Sequence, residues 1–216
     1  KENPGHIRDN GTMPDALEPF SPATQQWFRN AFGTPTAAQE GAWESISKGE
    51  NALIIAPTGS GKTLAAFLWA LDALYRDKST EPDQRELTTS TQARKNGDAR
   101  ETQKTKKQRA GGTRILYVSP LKALGADVER NLRAPLAGIA HTAKESGRTP
   151  PDITVGIRSG DTPARERRQL ISNPSDILLT TPESLYHMLT SAARSTLTGV
   201  TTVIVDEVHA LAGTKR

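Results

Sequence analysis

Apolar residues in this chain gather into short unbroken runs that alternate with stretches of helical spacing. The runs are Asn51 to Ala56 (NALIIA), Arg114 to Ser119 (RILYVS), Ile153 to Ile157 (ITVGI), Asp176 to Thr181 (DILLTT) and Val200 to Val205 (VTTVIV). Each has strand length and leads into turn-forming or charged residues. Between them the spacing predicts helices. One starts at Ser21-Pro22 and carries Trp27, Phe28 and Phe32, and a second follows the turn at Gly33-Thr34-Pro35 and runs through Ser47. Lys62 to Tyr75 places Leu64, Phe67, Leu68, Leu71 and Leu74 on one face. Leu124, Val128, Leu132 and Leu136 mark a further helix reaching to near Glu145, which Pro135 bends or divides. Shorter helices are predicted over Pro163 to Ile171 and from Pro182 to near Thr190. Strands alternating with helices, most strands being continuously apolar, predict an α/β fold with a parallel sheet covered by helices on both faces. In such sheets ligands sit beyond the carboxyl ends of the strands.

The pattern lapses once. Between Arg76 and Gly112 there is no Val, Ile, Phe, Trp or Tyr, and Thr, Gln, Lys, Arg and Asp dominate. Such a stretch cannot bury enough apolar surface to offset the entropy of ordering it, so 76–112 is expected to be a disordered insertion within one domain. It also holds the whole of the formal net charge of +4, the rest of the chain being balanced. The basic pI is therefore no argument for a polynucleotide, and any such argument must come from motifs. With no cysteine, disulfides and thiolate metal sites are excluded, which fits a reducing, cytoplasmic setting. No apolar run approaches membrane-span length, so no membrane partner is expected. Met13-Pro14 reads as a natural beginning, and residues 1–12 are expected to be a disordered extension.

The chemistry starts where the first apolar run ends. Residues 51–64, NALIIAPTGSGKTL, read as strand, glycine-rich loop and helix. Gly59 and Gly61 let the backbone turn its N–H groups inward at phosphate oxygens, with Thr58 and Ser60 between and beside them, and the helix adds the positive end of its dipole. Lys62 would reach the β- and γ-phosphates and the Thr63 hydroxyl would serve Mg²⁺. The usual first glycine of this loop is replaced by Ala56, which is small enough for a tight turn. Asp206-Glu207, directly after the last apolar run, supply the acidic half of such a site: one carboxylate for Mg²⁺ and one to orient and deprotonate water. Taken alone, Gln39 reads as a solvated helix residue and His209 as a structural histidine.

Taken in order, APTGSGKT, SPLKAL, SGD, TPESL and DEVH resemble the first RecA-like domain of superfamily 2 helicases. GTPTAAQ, SPLKALGADVERNL and DEVHAL resemble in particular the Lhr (large helicase-related) family. The resemblance covers residues 17–216 apart from 76–112 and implies a P-loop, RecA-like domain over 13–216, incomplete at its C-terminus. It implies ATP and Mg²⁺ as cofactors. Gln39 then matches the adenine-reading residue, with Phe20 beside the base. Lys62, Thr63, Asp206 and Glu207 match the phosphate, Mg²⁺ and water residues, and His209 the link between nucleotide state and the next motif. Ser119, Pro120, Leu121 and Lys122, then Ser159 and Gly160, then Thr181 and Pro182, match the loops that grip the sugar-phosphate backbone of one strand. The implied partner is single-stranded nucleic acid, DNA favoured over RNA, unwound in the 3′ to 5′ sense. A second RecA-like domain bearing arginine fingers is expected to follow, so residues 1–216 alone are expected to be poorly stable and slow on ATP. A DEAD-box-like RNA remodeller, against which His209 counts, and a nucleotide-gated clamp that does not unwind stay open as alternatives.

Overall fold

The computed structural model describes residues 15–57, 59–80, 112–120 and 129–209. The expectations for residues 1–12, for most of the insertion, and for Thr58, Leu121 and Lys122 lie outside them. Helix α1 is Pro22–Phe32, α2 Ala37–Ser47, α3 Lys62–Thr80, α4 Ala134–Glu145, α5 Ala164–Ser172 and α6 Pro182–Leu189. Strands β1 (Ile115–Val118), β2 (Val155–Arg158), β3 (Ile177–Thr180) and β4 (Thr202–Val205) form one parallel sheet in the order β2-β3-β1-β4.

The sheet divides the apolar residues by strand periodicity. Ile115, Tyr117, Ile177 and Leu179 face α3, where Phe67, Leu71 and Leu74 of the predicted stripe are joined by Ala70 and by Leu132, while Leu64 and Leu68 of that stripe turn to the side packed by α1 and α2. Leu116, Val118 and Leu178 face the opposite way, onto Met188 of α6 and Ala193. Each such buried side chain contributes about 1.5–3 kcal/mol of transfer free energy, so the two central strands fix α3 in place. A third cluster, Phe20, Phe28, Trp43, Leu68 and Ile139 among it, locks α1 and α2 behind α3 and α4. Trp43 reinforces this by donating its indole N–H to the Ala65 carbonyl at 2.9 Å. At Gly138 the absent side chain lets α4 approach α1, since a Cβ there would lie 1.9 Å from Trp27 Nε1.

The caps follow the local sequence. The Ser21 side chain accepts from the Thr24 N–H with Pro22 in the first turn, and the Thr181 side chain accepts from the Ser184 N–H with Pro182 likewise. Pro135 falls in the first turn of α4, after a π-helical turn at Glu129–Arg133, so it divides the expected long helix.

Three expectations are corrected. The run 51–56 is not a strand: residues 51–57 pair with no strand among the described residues, and Leu53 and Ile55 are 75% and 86% exposed. A strand exists only through a ladder partner about 4.8 Å away, and apolar composition does not supply one. The parallel sheet with helices on its two faces is as expected; burial is complete over β1 and β3, and Val203 and Val205 of the outer strand β4 stay exposed. The third strand lies at Val155–Arg158 rather than 153–157, its start displaced because Thr154 is held by the Asp176 carboxylate. A 3-10 helix at Ala192–Leu197, capped by Ser191, was not foreseen. Finally, α3 does not stop at Tyr75. It continues to Thr80, with Asp77 paired to Arg114 at 2.6 Å and Lys78 to Asp176 at 2.7 Å, so residues 76–80 and the packed Gly112 do not belong to the insertion. Among the described residues no helix is long and apolar enough to cross a membrane.

Candidate active site

The loop into α3 has the backbone the sequence implied. Gly59 and Gly61 have φ of +84° and +81°, the left-handed region open to glycine, and the Ala65 N–H donates to the Gly61 carbonyl to begin the helix. Lys62 Nζ closes the loop from below, donating to the carbonyls of Ala56 at 2.5 Å and Pro57 at 2.7 Å. The Ser60 hydroxyl is buried with no hydrogen-bond partner. Thr63 follows Lys62 in the first turn of α3, half-buried.

The start of α2 is built onto this loop. Thr36 and Gln39 form a capping box: the Gln39 N–H donates to Thr36 Oγ1, and Gln39 Oε1 accepts from the Thr36 N–H at 2.9 Å. The Thr36 hydroxyl also donates to the Ser60 carbonyl at 2.9 Å. The Gln39 amide, 4% exposed, lies over Gly61 so closely that a Cβ there would sit 2.5 Å from Nε2. Gln39 therefore stands beside the phosphate loop, but its oxygen is engaged in capping its own helix. Phe20 is corrected. Its ring is 3% exposed and packs edge-on against Trp43 and Trp69, so it is core and not a platform for a base.

The other half of the site follows from strand register. Arg158, Thr180, Val118 and Val205 are partners across the sheet, so Ser159, Thr181, Ser119 and Asp206 each come one residue later, side by side at its carboxyl edge. Ser119 N–H donates to the Thr180 carbonyl and Asp206 N–H to the Val118 carbonyl, extending the ladder by one step. Asp206 Oδ2 accepts from the Tyr117 hydroxyl at 2.7 Å, and its Oδ1 from the Glu207 N–H at 2.8 Å. Glu207 has φ of +51°, a left-handed conformation that costs a non-glycine residue about 1 kcal/mol or more, and its carboxylate lies 3.2 Å from His209 Nε2. Burial pushes the Tyr117 hydroxyl far above its ordinary pKa, and the acceptor carboxylate of Asp206 adds to the rise.

The three loops expected to grip a nucleic-acid backbone start along the same edge, but several of their side chains point inward. Ser119 is fully buried, Thr181 is spent on the α6 cap, and Ser159 accepts from the Asp161 N–H. The hydroxyls of Ser119 and Thr181 therefore face the fold and not the solvent at this edge. Gly160 is exposed, and Pro120 and Pro182 are half-buried. Two arginines went unforeseen here. Arg158 is buried with Nη1 unpartnered, and Arg167 donates to the carbonyls of Gly160 and Thr162. Burial, with the neighbouring Arg167, lowers the Arg158 pKa. The signal for Tyr117 was a phenol inside an apolar strand, which needs a partner for its hydroxyl. For Thr36 it was the T-x-x-Q capping spacing.

A family profile described as DEAD/DEAH box helicase matches residues 36–216. The chain belongs to this family. Over 202 residues it is 56% identical to the Lhr helicase/probable uracil glycosylase of Mycolicibacterium smegmatis, covering 94% of this chain and 12% of that protein. It is 55% identical over 205 residues to the Lhr helicase/uracil glycosylase of Escherichia coli, again 94% of this chain and 12% of the relative. The chain thus spans 12% of the length of these curated relatives. Among solved structures, Mycobacterium smegmatis helicase Lhr bound to ssDNA and AMP-PNP superposes with a TM-score of 0.73 at 54% identity, over 93% of this chain and 22% of that one. The Lhr resemblance and the RecA-like fold read from the motifs are borne out by these matches.

Proposed function

We propose that this DEAD/DEAH box domain is the ATP-binding unit of an Lhr-type helicase, coupling ATP hydrolysis to movement along single-stranded DNA and duplex separation. The carrying observation is the row across the sheet: Asp206-Glu207 and the loops at Ser119, Ser159 and Thr181 follow register partners on one edge. Nucleotide chemistry and a strand of nucleic acid would share one rigid layer. Support for the occupants comes from the Lhr structure, which is bound to ssDNA and AMP-PNP.

The residues fit a nucleoside triphosphate. The left-handed glycines give an N–H cradle, the buried Ser60 hydroxyl lacks a partner, and Lys62 Nζ donates to loop carbonyls that it can exchange for phosphate oxygens. Gln39 would read adenine once its capping bond opens, and its position over Gly61 supports that role. Thr63 and Asp206 would hold Mg²⁺, which supplies charge neutralisation on the β- and γ-oxygens. Such an ion takes only one or two protein oxygens when phosphates complete its shell. Glu207 accepts the proton of the attacking water, with His209 orienting its carboxylate. Water adds at the γ-phosphorus, the bond to the β–γ bridging oxygen breaks, and ADP and phosphate leave. At the nucleic-acid edge, the exposed Gly160 and the Arg158/Arg167 pair favour a polyanion, and backbone phosphates satisfy that without sequence reading.

The test is ATP hydrolysis by the full-length protein without polynucleotide, with single-stranded DNA and with single-stranded RNA, beside Lys62→Ala. Stimulation by DNA that disappears in the variant is expected. Stimulation by RNA alone would favour an RNA remodeller, and equal rates throughout would leave the edge loops without a nucleic-acid role.

A further inference from the structure

Tyr117 is 1% exposed in the middle of β1, on the apolar face between Ile115 and the layer of α3. A hydroxyl taken into such a layer is destabilising unless it finds a hydrogen-bond partner. Its partner is not a backbone carbonyl but the Asp206 carboxylate, at 2.7 Å. The ring is held from the other side by Phe67, stacked at 4.9 Å with planes 26° apart. Phe67 lies five positions after Lys62 on the helix that carries Lys62 and Thr63. One phenol therefore touches both halves of the site, the acidic strand through its hydroxyl and the phosphate-loop helix through its ring.

Resting on the function proposed above, we propose that Tyr117 is a positioning residue for Mg²⁺: it fixes the Asp206 carboxylate at a set distance from the helix bearing Thr63. Oδ1 is held by the Glu207 N–H and Oδ2 by the Tyr117 hydroxyl, so the carboxylate cannot rotate about its Cβ–Cγ bond. Each oxygen keeps a lone-pair direction for a metal-bound water. Without the hydroxyl only Oδ1 is held, by an N–H of the adjoining residue that follows any backbone movement at Glu207. Losing a partner of this kind typically costs about 10–100-fold in metal affinity.

The test is Tyr117→Phe in the full-length protein, which keeps the ring, the Phe67 stack and the strand. Binding of a fluorescent ATP analogue is titrated with Mg²⁺, and ssDNA-stimulated hydrolysis is measured over the same Mg²⁺ range. The half-saturating Mg²⁺ concentration is expected to rise about 10–100-fold in both, with kcat largely recovered at saturating Mg²⁺. Phe67→Leu, which keeps the hydroxyl but frees the ring, is expected to move the midpoint in the same direction by less. A Tyr117→Phe midpoint equal to wild type, whatever happens to the melting temperature, would overturn the positioning role while leaving the ATP site intact. Absence of Mg²⁺-dependent nucleotide binding in wild type, indistinguishable from Lys62→Ala, would overturn the functional reading itself, and this proposal with it.

Discussion

The continuation of α3 past Tyr75 rests on Asp176, and replacing that carboxylate is the sharpest test of why the helix extends. Asp176 lies just before β3, where Oδ1 pairs with Lys78 Nζ at 2.7 Å and Oδ2 accepts from the Thr154 N–H and hydroxyl, both at 2.7 Å. Lys78 also donates to the Asp152 carbonyl at 2.9 Å, so three segments meet at one carboxylate. Breaking a fully buried pair costs about 3–5 kcal/mol. The two side chains keep 22% and 12% exposure, so solvent screening reduces the expected loss to about 2–3 kcal/mol. Asp176→Asn keeps an acceptor for Thr154 and removes the charge. Hydrogen–deuterium exchange of the full-length protein, corrected for intrinsic rates, reads the local opening at the last turn of α3 and at Thr154. A loss of 2–3 kcal/mol corresponds to exchange faster by about 30- to 150-fold, since 1.4 kcal/mol is tenfold.

The pH dependence has a definite sign. Burial alone would raise the Asp176 pKa, but Lys78 and the Thr154 donors outweigh it and hold the carboxyl below its ordinary value. Stability from the group is therefore complete above its unfolded pKa of about 3.9 and is lost as pH falls through the lower folded value. The gap between wild type and Asp176→Asn should stay constant from neutral pH to about pH 4 and close below it. Lys78→Met should abolish most of the difference, because the two residues act as one pair. Equal protection in wild type and Asp176→Asn at neutral pH, or a gap that widens in acid, would refute the reasoning.

Two further outcomes follow from the site. Phe20→Ala should destabilise the fold by about 3–5 kcal/mol, read as a lowered melting transition, while nucleotide affinity of the folded protein is unchanged; a selective loss of affinity would restore the ring to the base. Glu207→Gln should cut ssDNA-stimulated hydrolysis by about 10²–10⁴-fold and abolish unwinding while nucleotide binding persists. Unwinding that survives this change would favour the clamp.

Much of the site was legible because its parts are local in sequence. Gly59-Ser60-Gly61-Lys62-Thr63 forms its cradle from its own backbone, and the positive φ values at the two glycines are a property of residue type. Ser21-Pro22 likewise capped α1 as its residue types require, whereas the capping box of Thr36 and Gln39, equally local, was missed. What misled was composition read as environment. Asn51 to Ala56 is as apolar as β1, yet Leu53 and Ile55 stand exposed, because a strand depends on a neighbour and not on its own side chains. Phe20 had the right type for a base platform, but two tryptophans brought from α2 and α3 enclose it.

By itself the sequence determined the α/β alternation, the caps, the phosphate loop and the acidic pair, each set by torsional preference, spacing or periodicity within about twenty residues. Only the tertiary structure decided the strand order β2-β3-β1-β4 and the register that lines up Ser119, Ser159, Thr181 and Asp206. It alone decided the bond from Tyr117 to Asp206, across 89 residues, and the anchoring of Lys78 by Asp176. Those contacts join residues far apart in sequence, and their geometry is fixed by how the apolar faces of α3 and the sheet close on one another.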